Sequence, residues 1–283
     1  MAIFATLAAL ASAACFAAGS AMQHRVATAS SPDEESRSQF LGRLVRRPSW
    51  LFGLGLSALA FALHALALGH GDLAVVQPVI VSGIVFSVLI RAAMEHRRPR
   101  GATMVWLLLT WAGLALLLVV RPDTATTSSH TSRAPIFVTV GAAVSLLLLL
   151  AARRTSPDRR RGFLLAAAAG LLFGLVAGLV KLVLSLTTQG WHRVVWSWPL
   201  WALVVIGAGA VLTNQRAYQA TLMSVTTPVL NIAQVMVAIG FGVVIFGEDP
   251  GSTLPVVAGE VLGLAVILLS VGKLAAGSRQ ATA

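Results

Sequence analysis

Apolar runs of about twenty residues, each bounded by a short polar or arginine-bearing stretch, recur nine times along the chain. They are Ile3–Met22, Ser49–Leu68, Leu73–Ile90, Thr103–Val120, Pro135–Ala152, Phe163–Leu186, Trp198–Ala217, Leu222–Phe246 and Leu254–Gly272. A helix of about 20 apolar residues covers the hydrocarbon core of a bilayer. Irregular backbone facing lipid would leave peptide groups unsatisfied, so each run predicts a spanning α-helix. The shallowest breaks are Gly69–Asp72, between the second and third runs, and the short stretch between the seventh and eighth. No lysine or arginine occurs in Met1–Met22. The first run therefore lacks the basic n-region of a signal peptide and is read as a retained helix.

Composition agrees with this reading. Of 283 residues, 57% are hydrophobic and 11% charged, whereas soluble domains carry about 25% charged residues. A water-soluble globule is excluded, and so is a disordered chain, which needs low hydrophobicity and high charge. The single cysteine, Cys15, excludes a disulfide framework and a cysteine-based zinc site.

The net charge of +11 would suggest nucleic acid if the arginines formed a patch. They fall instead in alternate loops. Arg121, Arg133 and Arg193 lie on one side of the predicted membrane. The other side holds Arg25, Arg37, Arg43, Arg46, Arg47, Arg91, Arg97, Arg98, Arg100, Arg153, Arg154, Arg159, Arg160, Arg161, Arg216, Lys273 and Arg279. Basic loops stay in the cytoplasm, so three against seventeen predicts the N-terminus outside and the C-terminus inside, in a multi-pass cell (inner) membrane protein. The partners expected are the lipid bilayer and a small solute, with no nucleic acid, and a homodimer is left open. Trp191, Trp196, Trp198 and Trp201 crowd the outer start of the seventh run and Trp50 the inner start of the second, where interfacial anchors belong.

Displacing the chain against itself by 150 residues pairs Ala60 with Ala210, Pro78 with Pro228, Gly101 with Gly251 and Gly113 with Gly263. A displacement of 157 lays the first run on the sixth. Spans one to four then copy spans six to nine, with the fifth as connector. The division is 1–134 for the first repeat, 135–161 for the connector helix and basic loop, and 162–283 for the second repeat. Five helices separate equivalent spans, so the copies are inverted. The expected fold is all-α, a polytopic bundle of nine helices in inverted four-helix repeats, an arrangement that places a binding site near the bilayer midplane.

Several stretches carry a family resemblance. They are Gly-His-Gly-Asp-Leu-Ala-Val-Val-Gln-Pro at 69–78 with Glu95, Thr-Asn-Gln-Arg-Ala-Tyr-Gln at 213–219, Thr-Thr-Pro at 226–228 and Phe-Gly-Glu at 246–248, together with Lys181 and His24-Arg25. In these the chain resembles the drug/metabolite transporter superfamily, and its nine-helix layout looks like the NIPA-type magnesium transporter branch. The resemblance implies a secondary transporter working by alternating access.

Charged residues inside a span cost about 2.5–3.5 kcal/mol on insertion scales and mark interior sites. Two stand out, Lys181 in the sixth run and Glu260 in the ninth. Both sit roughly 8–9 Å below the outer boundary at 1.5 Å per residue, a depth that allows an ion pair. Asn231 and Gln234 follow Pro228 in the eighth run; they are candidate solute ligands or interhelical hydrogen-bonding groups. His64, Gln77, Asn214 and Thr227 complete the candidate pathway. Pro78 and Pro228 are helix breaks that release backbone carbonyls. Gly170, Gly174 and Gly178, with Gly259 and Gly263, form small-residue stripes for close helix approach; they could bring the two charge-bearing helices together. Glu95, Glu248 and Asp249 fall at helix ends and are expected to be solvated.

No phosphate-binding, serine-hydrolase or HExxH motif occurs, so an enzyme is not expected, nor a resident metal or cofactor. Magnesium demands near-octahedral oxygen coordination and one or two carboxylates; one intramembrane carboxylate beside a lysine suits a small metabolite better. Metabolite transport is the first expectation, magnesium the alternative, and a non-transporting scaffold the third.

Overall fold

The structure, a computed structural model, describes residues 2–28, 47–94, 96, 98–99, 101–120, 130–155, 159–188, 190–220, 223–248 and 253–277. Glu95, Asp249, Arg37, Arg43, Arg46, Arg97, Arg100, Arg121 and Arg279 lie outside these residues. The side chains of His24, Arg25, Arg91, Arg159 and Thr227 are also outside the described set.

All described secondary structure is helical. The helices are α1 (Ala2–Thr28), α2 (Pro48–His70), α3 (Leu73–Val81), α4 (Ile84–Met94), α5 (Gly101–Val120), α6 (Ala134–Arg153), α7 (Arg159–Thr187), α8 (Trp191–Val195), α9 (Trp198–Ala220), α10 (Met223–Phe246) and α11 (Leu254–Gly277). Among the described residues eight helical stretches are long and apolar enough to cross a membrane, counting α3 and α4 together as Leu73–Met94. The α9 helix is apolar over the shorter stretch Trp198–Asn214. These elements define an all-helical, polytopic membrane protein.

The third apolar run is not one continuous helix. Pro78 has no N–H to bond the carbonyl of Ala74 and crowds that turn. One turn later the hydrogen bonding tightens, Gly83 N–H reaching Ile80 O (3.0 Å) and Val85 N–H reaching Ser82 O (2.9 Å). Gly83 lies where a Cβ would meet Ala13 of α1 at 3.0 Å, so the break is also a point of close approach. Pro228 behaves differently: α10 runs through it, and its ring rests near Gly272 of α11.

Small residues decide which helices pair. α1 packs on α2, where Ser12 Oγ donates to Ala60 O (2.7 Å). It also packs on α3 and α4. In the same way α7 packs on α9 and α10, and α5 packs on α11. A Cβ on Gly113 would stand 3.0 Å from Gly263 O, and one on Gly263 would stand 3.0 Å from Gly113 O. On α7, Gly170 faces the backbone of Leu230, Gly174 the backbone of Gln234 and Gly178 the ring of Phe241. The glycine stripe of α7 therefore seats α10, while Gly259 and Gly263 seat α5. The stripes serve close helix packing, as read from the sequence, and do not join the helices of Lys181 and Glu260.

With 67% of its apolar stretch buried, α7 is the spine of the bundle; α6, at 17%, lies at its edge. One core cluster spans both halves of the chain and contains Leu68, Leu73, Leu175, Leu179, Phe241 and Ile267. Trp191, Trp196, Trp198 and Trp201 are all exposed around α8, as amphipathic rings at a membrane interface would be.

Candidate functional site

The site is built where α2 stops and α3 begins. Gly71 and Asp72 are extended at this junction, and Asp72 is the N-cap of α3 without a side-chain capping bond. The first amides of a helix have no partner within it and carry the positive end of the helix dipole. A carboxylate from the other half of the chain supplies both needs. Glu248 Oε1 accepts the N–H of Leu73 (2.9 Å) and Oε2 that of Ala74 (3.3 Å).

Glu248 reaches this position because of two glycines. The α10 helix ends at Phe246, and Gly247 adopts φ +63°, a conformation nearly free for glycine alone. The chain then folds back, and Glu248 N–H bonds Gly242 O (3.1 Å). Its carboxylate lies against Gly242, where a Cβ would collide with Oε2.

Lys181, on α7 six residues before its last residue Thr187, completes the cluster. Its Nζ donates to Glu248 Oε1 (2.7 Å) and to Gly71 O (2.8 Å). It stands 3.9 Å from Asp72 Oδ1 and 5.0 Å from the centre of the Phe246 ring. The Glu248 side chain is 1% exposed, Lys181 15% and Asp72 27%. Buried charge persists only when paired and hydrogen-bonded. Here one ammonium, two carboxylates and a helix N-terminus share a single locus that joins the two halves of the chain.

One turn along α3 from this cluster, the fully buried Gln77 accepts a hydrogen bond through Oε1 from Gln234 Nε2 of α10 (3.0 Å). Asn231, three residues from Gln234 and so on the same face of α10, is half-buried. Gln77 Nε2, Asn214 Oδ1 and Thr226 Oγ1 are buried with no partner among the described residues. His64 is half-buried on α2, and no hydrogen bond to it is found among the described residues. Thr227 lies in α10, with its side chain outside the described set.

One expectation is corrected, and one question that the sequence leaves open is answered. Glu248 is not a solvated helix-end carboxylate but one of the most buried polar residues described, drawn inward by the turn at Gly247. Lys181 pairs with Glu248 and not with Glu260. Glu260 is buried in α11, a helix packed on α5 and α10; equal depth did not make the two helices neighbours. Phe246-Gly247-Glu248 and Gly71-Asp72 stood in the sequence as a glycine after an apolar run and a break between two runs. Those are turn signals, and they were the available pointer to Glu248 and Asp72.

The separation of Lys181 from Glu260 has a measurable consequence. The destabilisations of Lys181→Met and Glu260→Gln are expected to add within about 0.5 kcal/mol, as for independent sites. Denaturant titration of the two single variants and the double variant in detergent measures this; a coupling well above that figure would restore the pair.

Compared with known proteins, the chain is similar to an uncharacterized protein of Corynebacterium glutamicum, 29% identical over 269 residues that cover 94% of this chain and 91% of the relative. It matches no family profile and no solved structure.

Proposed function

We propose that the protein is a secondary transporter that moves a small polar solute by alternating access. The Lys181–Glu248–Asp72 cluster acts as the closure at one end of the path. The observation that carries this reading is the buried ionic bridge itself. It links Gly71–Ala74 of the first half to Lys181 and Glu248 of the second through three hydrogen bonds, two to Glu248 and one from Lys181. A scaffold would gain little from such a bridge, since a well-packed apolar contact of similar volume is commonly as stable or more so.

The proposed inverted repeat draws support from the helix pairing. α1 against α2 and α3 is matched by α7 against α9 and α10, while α5 meets α11 and α3 meets α10 across the halves. The reciprocal approach of Gly113 and Gly263, which are equivalent at a displacement of 150, is what equivalent residues show at a two-fold axis. By the arginine asymmetry the ionic cluster faces outward, so this conformation is closed to the outside.

Below the closure the available groups are amides and hydroxyls. Gln77, Gln234, Asn231, Asn214 and Thr226 offer donors and acceptors in an apolar bundle, where an unmet buried polar group costs about 1–3 kcal/mol. A neutral or zwitterionic solute bearing several hydrogen-bonding groups matches them. A dehydrated divalent cation matches less well, because the carboxylates of Asp72 and Glu248 already face Lys181, which occupies the position a cation would take.

Accessibility tests the reading without knowledge of the solute. In a Cys15→Ser background, Gln77→Cys, fully buried in the conformation described, should react with an impermeant maleimide mainly from the arginine-rich side, through the alternate state that opens there. Adding Lys181→Met and Glu248→Gln together should open residue 77 to reagent from the opposite side. Residue 77 remaining unreactive from both sides in both backgrounds would favour a scaffold and end the transport proposal.

A further inference from the structure

At the end of the bundle opposite the Lys181 cluster, α6, α7 and α9 enclose a groove of about 120 Å³. Its apolar wall is Leu146, Leu149 and Leu150 of α6 with Leu165 of α7, and its rim carries Arg153, Arg161 and Arg216, one arginine from each helix. No described acidic side chain lines it. Arg153 and Arg216 are exposed and have no acidic partner among the described residues. We propose that this groove binds one anionic phospholipid, the phosphate held by the three guanidinium groups and an acyl chain lying on the leucines.

Topology alone does not require this arrangement. Arginines that only set orientation need to lie near the cytoplasmic surface, on any face of any helix. Here three converge on one groove, and Arg216 does so from within α9, before its last residue Ala220. Guanidinium is the group suited to phosphate, offering paired donors in a fixed plane. Arg153 and Arg216, exposed and without acidic partners among the described residues, repel one another across one opening, and an anion relieves that repulsion. The leucine wall chooses among anions: inorganic phosphate would leave it wetted, and an acidic peptide would bring polar backbone against it. A phospholipid provides a charged head and an apolar tail in one molecule, and basic pockets between helices on the cytoplasmic side are the expected sites for anionic lipids.

The groove also borders α6, the least buried of the eight long apolar stretches. A lipid seated there adds contacts between this edge helix, α7 and α9, so its effect should be visible as stability whether or not the protein transports.

The test uses the full-length protein purified in a neutral detergent. Dioleoyl phosphatidylglycerol should raise the melting temperature by about 5 °C, the scale expected for a ligand of the native state well above its dissociation constant. Dioleoyl phosphatidylcholine and inorganic phosphate should leave it within about 1 °C. Arg153→Gln/Arg216→Gln should melt normally in phosphatidylcholine yet lose the response to phosphatidylglycerol. If that variant does not fold, Arg153→Lys/Arg216→Lys, which keeps the charge and loses the planar fork, should show a response cut by half or more. An equal response to phosphatidylcholine, or an undiminished response in a folded variant, would overturn the proposal. An equal response to inorganic phosphate would reassign the groove to a free anion and overturn the lipid part.

Discussion

Replacing Lys181 by methionine is expected to destabilise the protein by about 3–5 kcal/mol, the cost of leaving a buried carboxylate without its partner. The side chain is almost isosteric, so the loss is one of charge. Glu248, 1% exposed, would retain the amides of Leu73 and Ala74 but lose the ammonium 2.7 Å away. Glu248→Gln should be milder. Lys181 would keep Gly71 O and the nearby Asp72, and its 15% exposure lets water share its charge; the loss is mainly a helix cap, worth about 1 kcal/mol.

The informative variant is the double one. Lys181→Met with Glu248→Gln removes both charges and should be more stable than Lys181→Met alone, with a coupling in the upper part of the 0.5–3 kcal/mol range typical of contacting residues. Midpoints of denaturant titration in detergent would measure it. If the two effects simply add, the cluster is not an ion pair and the proposed closure goes with it. Transport should respond differently: the double variant regains stability but not a closed outer end, so flux and stability should part company.

Sequence patterning reports depth far better than it reports neighbours. The apolar runs fall on the long apolar helices, and the break at Gly69–Asp72 falls where α2 gives way to α3. Lys181 and Gln77, chosen because polar groups inside a span are costly, do sit at contacts between the two halves. What hydropathy lacks is azimuth. A helix apolar on every face has no stripe to say which side meets which neighbour, so Lys181 could be placed at the depth of Glu260 without revealing that α10 and not α11 lies beside it. Glu248 was obscured for a second reason. Its position depends on the backbone turn at Gly247, and a positive φ is a local choice that average hydropathy does not register. Glycine after an apolar run is the usual mark of a helix end, and here it also turns a carboxylate inward.

The interlock of α7 with α10 leads to the second large effect. A Cβ on Gly174 would stand 2.7 Å from the carbonyl oxygen of Gln234 and 2.7 Å from Cβ of Val237, neither of which can swing aside as a flexible side-chain end can. Gly174→Val should therefore push α10 away and cost about 1–3 kcal/mol by overpacking. Gly209→Val on α9 is the control, since the nearest atom to its Cβ is Leu172 Cδ1 at 3.9 Å, and it should change stability by under about 0.5 kcal/mol. The displaced backbone belongs to Gln234, whose side chain holds Gln77 of the opposite half at 3.0 Å. Gly174→Val should consequently break that bond and abolish solute-dependent stabilisation or flux, although no polar group has been removed. Thermal melts of the two valine variants, with and without an identified solute, make the comparison. A Gly174→Val protein that melts and binds as the Gly209→Val protein does would show that α7 and α10 can part without cost, which the contacts at Gly170, Gly174 and Gly178 forbid.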